Sequence, residues 1–345
     1  MKFYAVVIEP ASGFGTPLKG DTMFGQFCWE AAWDKSLLEG GLEAQLEAYG
    51  KKPFLVFSSA FPKLRSDPDK IVCALRRPAL PPRMETFSTN AERIEALRKR
   101  KEEKKRQWVV HALGDAPMHV EGMEALNSEE LLELCVVDHP GVEFLSFQGA
   151  KDPYVNVSQS HNTINRLSWT TGDPPFAPYS LQVGHYLPGM ELILFVLLDE
   201  DATDIDRVVK GLKRIGQFGF GRDASIGMGR FRVKESMELA LPTVQAGQAC
   251  YTLAPCVPES GQFGEYYFSP FIRFGRHGGA LARSENPFKN PVVMADEGAV
   301  FIPLEGAKYE KPYMGRAVQN VSKALAGSVV QGYAPILPLM IRSWQ

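Results

Sequence analysis

Two stretches of this chain concentrate the residue types that handle anions and bases. The first, Gly216-Gln-Phe-Gly-Phe-Gly-Arg-Asp-Ala-Ser-Ile-Gly-Met-Gly-Arg-Phe-Arg-Val233, interleaves glycines with Phe218, Phe220, Phe231, Arg222, Arg230 and Arg232. Glycine permits positive φ and close backbone approach, consecutive N–H groups can cradle an anion, and arginine offers paired donors to phosphate. The second, Val157-Ser-Gln-Ser-His-Asn-Thr-Ile-Asn-Arg-Leu-Ser-Trp-Thr-Thr-Gly-Asp-Pro174, gathers Gln159, His161, Asn162, Asn165 and Arg166. Such donors suit the backbone and base edges of an extended single strand; a polar loop bonded to itself is the plainer alternative.

The elements around the glycine run decide what it can be. Ile205, Val208, Val209, Leu212 and Ile215 recur at helical spacing before it. Thr203 and Asp206 suggest a capping box, and Gly216 suits the position after a helix end. Arg230-Phe-Arg-Val-Lys234 alternates like a strand. The order helix, glycine loop, strand excludes a dinucleotide fingerprint and a P-loop, both of which need strand, loop, helix. A tight α-to-β turn with no ligand remains open.

Upstream, residues 2–9 read as a central strand, apolar on both faces. A second glycine-rich turn, Ser12 to Asp21, leads into a helix at about 22–35 for which Asp21 is the expected N-cap. Leu55 to Phe61 is a strand. Clustered prolines from Pro62 to Pro82 then signal a departure from sheet structure. Residues 90–110 read as a solvated helix whose Arg98–Arg106 run is either a wetted face or a basic arm on RNA phosphates. A short helix spans 127–135, with Asn127 and Glu130 at capping-box spacing. Strands follow at 179–186 and 190–198, a helix at 203–215 and a strand at 229–234. This is a β-α-β-β-α-β ferredoxin-like plan over residues 1–242, with an insertion at about 61–177. Residues 243–345 restart with strands at 248–255 and 299–303, and read as a second, degenerate ferredoxin-like domain. The fold class is α+β, two tandem ferredoxin-like (RRM-like) domains.

Composition narrows the function classes. With 38 basic and 40 acidic residues among 345, polyanion contacts must come from local patches. The five scattered cysteines contain no Cys-x-x-Cys pair, which argues against a zinc site or disulfide frame and for a reducing compartment. No apolar run approaches the roughly 20 residues of a membrane span, so a cytoplasmic protein is expected. The six histidines never pair at metal-ligand spacing; no metal or cofactor is expected. The sharpest catalytic idea makes His161 the proton-transfer group of a metal-independent endoribonuclease, beside the alternatives of an RNA-binding module and a protein-only scaffold.

Several runs resemble the RAMP superfamily of CRISPR proteins: Gly13-Phe-Gly-Thr-Pro-Leu-Lys-Gly-Asp-Thr-Met-Phe-Gly25, His161-Asn-Thr-Ile-Asn-Arg166 with Thr170-Thr-Gly172, Gly219 to Phe231, Ser269-Pro-Phe to Gly275, and Val329-Val-Gln-Gly-Tyr-Ala-Pro335. Taken together they resemble the subunit that caps the 5′ tag of the guide RNA in type III-A (Csm) effector complexes. The resemblance implies a non-catalytic crRNA-binding subunit that docks on the large polymerase-like subunit and on backbone RAMP subunits. It also implies that the insertion carries a hairpin-like thumb reaching the guide–target duplex, so that target RNA is met indirectly. Carried onto this chain, it makes His161, Asn162, Asn165, Arg166, Gly219, Gly221, Arg222, Ser225, Gly227, Gly229 and Arg230 the RNA-binding residues, with Lys19 and the 12–15 turn lining the same groove, and processing of repeat RNA the enzymatic alternative.

Overall fold

A computed structural model describes residues 1–64, 71–81, 86–114, 117–135, 151–172, 174–304 and 307–341. In chain order the strands of the first half are β1 (Lys2–Pro10), β2 (Leu55–Leu64), β3 (Val72–Arg76), β4 (Trp108–Ala112), β5 (Met118–His119), β6 (Ala125–Leu126), β7 (Tyr154–His161), β8 (Tyr179–Tyr186), β9 (Leu192–Leu198) and β10 (Phe231–Leu239). The helices are α1 (Gly20–Trp33), α2 (Gly41–Ala48), α3 (Asn90–Glu103), α4 (Ser128–Cys135) and α5 (Ile205–Phe218).

The first sheet has the order β10-β1-β9-β2-β3-β4-β6. Its left-hand four strands, with α1 between β1 and β2 and α5 between β9 and β10, form an antiparallel ferredoxin-like unit. β1 lies between β9 and β10, so residues from Phe3 to Ile8 are buried on both faces. β9, Leu-Ile-Leu-Phe-Val-Leu-Leu, is buried throughout because it lies between β1 and β2. The helices cover the sheet through Phe24 and Phe27 of α1 and Val208, Leu212 and Ile215 of α5.

The second half contributes β11 (Gln248–Thr252), β12 (Phe263–Tyr267), β13 (Pro270–Arg273), β14 (Val292–Ala295), β15 (Val300–Pro303), β16 (Tyr313–Gly315), β17 (Val318–Gln319), β18 (Val329–Val330) and β19 (Tyr333–Met340). The order β12-β15-β11-β19-β16 puts β12, β15, β11 and β19 in the sequence that β2, β9, β1 and β10 follow in the first sheet. Among the described residues beyond β10, only a 3₁₀ turn at Gly279–Arg283 is helical. The ferredoxin-like plan here keeps its strands and lacks its two helices, and β5 adds to β19 in parallel.

Several local expectations change. Asp21 is not an N-cap: Lys19 holds that position with no side-chain cap, and Asp21 lies buried in the first turn. Both its oxygens face Arg273, at 2.5 Å to Nε and 2.8 Å to Nη2. The cap of α5 is Asp204, whose carboxylate accepts from the Arg207 amide, while the Thr203 hydroxyl donates to the Leu37 carbonyl. Gly216 lies inside α5, because the apolar face runs one turn further and Gly219 ends the helix at φ 107°. The Asn127–Glu130 capping box forms with both bonds.

The proline cluster does not end the sheet. β2 continues through Pro62, and β3 and β4 extend the same sheet. Short strands such as Val-Cys-Ala-Leu-Arg are too brief to outweigh proline spacing in a sequence reading. Pro68 and Pro82 lie outside the described residues. The basic helix stops at Glu103, where Trp108-Val-Val turns to strand pairing with β3.

β2 carries a bulge between Phe57 and Ala60, and its spare backbone groups bond away from the ladder. The buried Gln331 amide accepts from Phe57 N (3.0 Å) and donates to Phe57 O (2.8 Å). Ser59 N donates to Leu253 O, and the Ser58 hydroxyl accepts from Phe195 N at 2.7 Å. The two sheets are thus bonded through one irregularity.

Asp21→Ala leaves a part-buried guanidinium without its counter-ion and is expected to lower unfolding free energy by about 3 kcal/mol, whereas Asp21→Leu with Arg273→Met recovers much of that loss; urea denaturation measures both. Burial holds the His277 and His111 imidazoles below their ordinary range. The unfolded chain therefore binds more protons, and stability present above about pH 6.5 is lost as pH falls through that value. His277→Gln should shrink the drop in urea midpoint between pH 7.5 and 5.5.

Candidate nucleic-acid interface

β7 and β8 pair over eight positions, from Tyr154↔Tyr186 to His161↔Tyr179, as a two-stranded ribbon. Eight residues at about 3.4 Å each make it roughly 27 Å long. Its base is fixed to the first sheet through the 12–16 turn. Phe14 and Gly184 exchange both backbone bonds, at 2.8 and 3.0 Å. The Phe14 ring meets Tyr186 edge-on at 5.6 Å, and Tyr154 lies 4.8 Å from the same ring.

The glycine loop closes onto that turn. Phe220 is fully buried, and its amide donates to Gly229 O at 2.9 Å. Gly229 N donates to Gly13 O, Ala11 N to Arg230 O, and Arg230 N to the Ser12 hydroxyl. Arg222 N donates to the Thr16 hydroxyl (2.9 Å), and its guanidinium reaches Gln182 O (2.7 Å) and the Asp223 carboxylate (3.0 Å). Glycine is required at 229 twice over: φ is +74°, and a Cβ would collide with the Phe220 backbone. Three segments distant in sequence, 11–18, 182–185 and 219–230, thus form one hydrogen-bonded surface.

Sequence reasoning placed Gly219, Gly221, Arg222, Ser225, Gly227, Gly229 and Arg230 at one site, and they share this loop. Most of its amides serve it internally; among the described residues, only those of Gly221, Asp223, Ala224 and Ser225 donate no hydrogen bond. Beside those four free amides the loop presents side chains. Arg230 and Ser225 are exposed without a partner among the described residues, and the Arg222 side chain is about half exposed. Of its partners, Ser12 belongs to the 12–15 turn expected to line the same groove and Thr16 directly follows that turn, whereas Gln182 acts through its carbonyl and leaves no sequence signal.

His161, Asn162, Asn165 and Arg166 lie at the far end of the ribbon. The His161 ring stacks on Tyr179 at 5.4 Å, and its Nε2 is enclosed with no hydrogen bond among the described residues. Asn165 is occupied by its own loop: its Oδ1 accepts from Leu167 N, and its backbone bonds Thr170 and Trp169. Asn162 and Arg166 are exposed and have no partner among the described residues, beside Leu167 and Trp169, which are 95% and 81% exposed. Asp173, which closes this run, lies outside the described residues. From Gln182 to Tyr179 is three residues, about 10 Å along the strand, so the two clusters sit on one ribbon without touching.

Lys19 takes a different place. Its ammonium is held by Asp296 and Glu297, each at 2.5 Å, and lies over the Phe271 ring. Burial pushes the Glu297 carboxyl above the ordinary range, against the pull of Lys19. Among the described residues no group of three or more His, Cys, Asp or Glu side chains could hold a metal ion, and no helix is long and apolar enough to cross a membrane.

No protein-family model and no curated protein matches this chain. Solved structures do resemble it along its length. The Csm1–Csm4 cassette in complex with pppApA covers 99% of this chain and 98% of its own, at 15% identity and a TM-score of 0.49. The Csm3–Csm4 subcomplex of the type III-A CRISPR-Cas interference complex covers 98% and 99%, at 12% identity and 0.49. The type III-B Cmr-beta complex bound to cognate target RNA and AMPPnP covers 86% and 85%, at 11% identity and 0.39.

Gly227 and Gly229 separate strain from collision. Both have positive φ, but Gly227 faces open space. Gly227→Ala should cost about 1 kcal/mol, and Gly229→Ala more, because the loop must also move off Phe220; paired urea denaturation curves and limited proteolysis at 219–230 measure the difference.

Proposed function

We propose that this protein is a non-catalytic crRNA-binding subunit of a type III-A CRISPR effector complex, holding the repeat-derived 5′ tag on the surface built from the glycine loop, the 11–18 turn and the ribbon base. The observation that carries this reading is the way three separate segments lock the loop, leaving Arg230 exposed with no side-chain partner among the described residues and Arg222 half exposed beside Gln182 and Asp223. A main chain already ordered adds no loop-ordering cost when these arginines meet phosphate. Ser225 and the exposed end of the ribbon, with Asn162 and Arg166, extend the same side-chain chemistry toward bases. Docking on the large polymerase-like subunit and on backbone RAMP subunits rests on the resemblance carried by the Gly-Phe-Gly-Thr-Pro-Leu-Lys-Gly-Asp and His-Asn-Thr-Ile-Asn-Arg runs. His161 fits a positional role, since its ring is stacked on Tyr179 and its Nε2 is enclosed.

Arg222→Ala with Arg230→Ala should weaken binding of tag-bearing guide RNA at least tenfold and flatten its salt dependence by about 1.4 in log–log slope, the loss of two single-strand phosphate contacts. A guide lacking the tag serves as control in filter binding. Equal affinity of variant and parent for tagged RNA overturns the role of the loop. Cleavage of repeat RNA in EDTA that His161→Ala abolishes would replace the reading with an endoribonuclease.

A further inference from the structure

The basic run at 98–106 has no part in the surface just described, yet it forms the end of a capped helix and faces a groove. α3 begins with a complete Thr89–Glu92 capping box and carries its positive charge in the C-terminal half, where the helix dipole favours it. An open groove of about 1660 Å³ lies between that half and the 17–19 segment, with Arg76 and Trp108 on its lining. Lys99, Lys101 and Lys104 line it, are exposed, and have no partner among the described residues. Arg76 lies over the Trp108 ring at 4.0 Å, and Arg106 is fixed by Glu130 and the Ala125 carbonyl.

Glu92 caps α3, Asp152 accepts from Tyr154 N, and Asp296 and Glu297 hold Lys19. Glu95 and Glu103 of α3, with Glu121, also line the groove and have no side-chain partner among the described residues, so Lys99, Lys101 and Lys104 outnumber the free carboxylates on the α3 wall by one. The groove also continues the glycine-loop surface. Thr16 bonds Arg222, and the next residues, Pro17, Leu18 and Lys19, are groove wall; Gly184 bonds Phe14, and Tyr186, two positions on, opens into the groove with Tyr154.

We infer that this groove is a second track for single-stranded RNA, contiguous with the glycine loop, in which Lys99, Lys101 and Lys104 meet phosphates. The inference rests on the RNA-binding reading above and extends the bound length beyond the tag. A mobile lysine supplies a point charge without sequence preference, and the partly exposed Phe87 on the same lining offers a face for a base. The track is therefore sequence-tolerant, whereas an acidic protein segment would compete for the same ammoniums.

The test uses the full chain, fluorescent RNAs of 8 nucleotides (tag alone) and 30 nucleotides (tag plus oligouridylate), and the variant Lys99→Glu/Lys101→Glu/Lys104→Glu. At about 0.1 M salt the 30-mer should bind at least tenfold more weakly and its salt slope should fall by about two, three contacts at roughly 0.7 each, while the 8-mer changes less than twofold. Circular dichroism and urea midpoints confirm that these solvent-facing changes leave the fold intact. An unchanged 30-mer affinity and slope overturns the track. So does a variant that loses binding of polyglutamate but not of RNA, which assigns the groove to an acidic protein. If Arg222→Ala/Arg230→Ala and the triple variant both leave every RNA bound as before, the RNA-binding reading itself fails, an outcome distinct from failure of the groove alone.

Discussion

The close approach at the start of α1 is the constraint on which the rest depends. Gly20 sits under the Phe57 carbonyl, near Ala254, where no Cβ fits. On either side of it Lys19 reaches Asp296 and Glu297, and Asp21 reaches Arg273. Three consecutive residues therefore bind the helical face of the first unit to the second. The β2 bulge, with Gln331 on Phe57 and Leu253 on Ser59, closes the same seam from the sheet side. A buried carboxylate–guanidinium pair adds little net stability over an apolar contact, but once one partner is present the other is compulsory. The seam thus sets the relative placement of the two units more than it stabilises either.

That placement fixes the segment immediately upstream. The 11–18 turn runs from the end of β1 to Lys19, so both its ends are held: one in the sheet, the other at the seam. It can then act as a template for the glycine loop, offering the Gly13 carbonyl and the Ser12 and Thr16 hydroxyls as acceptors at 2.7–2.9 Å. The ribbon base, bonded to Phe14 through Gly184, is placed by the same turn. A loop rich in glycine would be costly to order alone, since each glycine loses more backbone freedom than any other residue.

How much of this is readable in the sequence follows the range of each interaction. The β-α-β-β-α-β order, the central position of β1 and the bounds of β8 come from apolar periodicity, a local property. Pairings such as Asp21 with Arg273, |i−j| 252, leave no local trace. The Asp21 error shows the difficulty: an acidic residue just before a helical pattern satisfies every rule for an N-cap, and only the distant guanidinium reveals its use. Lys19 is a similar case, a lysine in a glycine-rich turn that an Asp-Glu pair remote in sequence draws into the seam. Thr203 and Gly216 mislead in a milder way, because neighbouring Asp204 and Gly219 supply equally good local signals one to three residues on. The loop cluster was legible since its members are contiguous; its junction with the 11–18 turn was only half so, and the Gln182 contact not at all.

The glycine loop finally changes meaning through hydrogen-bond accounting. Composition suggests a nest of free amides. The amides of Phe220, Arg222, Gly229 and Arg230 are instead consumed in holding the loop to itself and to the 11–18 turn. A site that used those groups for its ligand would have to undo the turn at each binding event. Spending them internally leaves the arginine side chains and the free amides of Gly221 and 223–225 as the interacting groups, and makes Gly219 and Gly229 structural. The loop's glycines allow four positive-φ positions, at 219, 221, 227 and 229, within eleven residues. The specificity of such a surface must then come from where the arginines stand relative to the ribbon, which is what the seam at α1 ultimately sets.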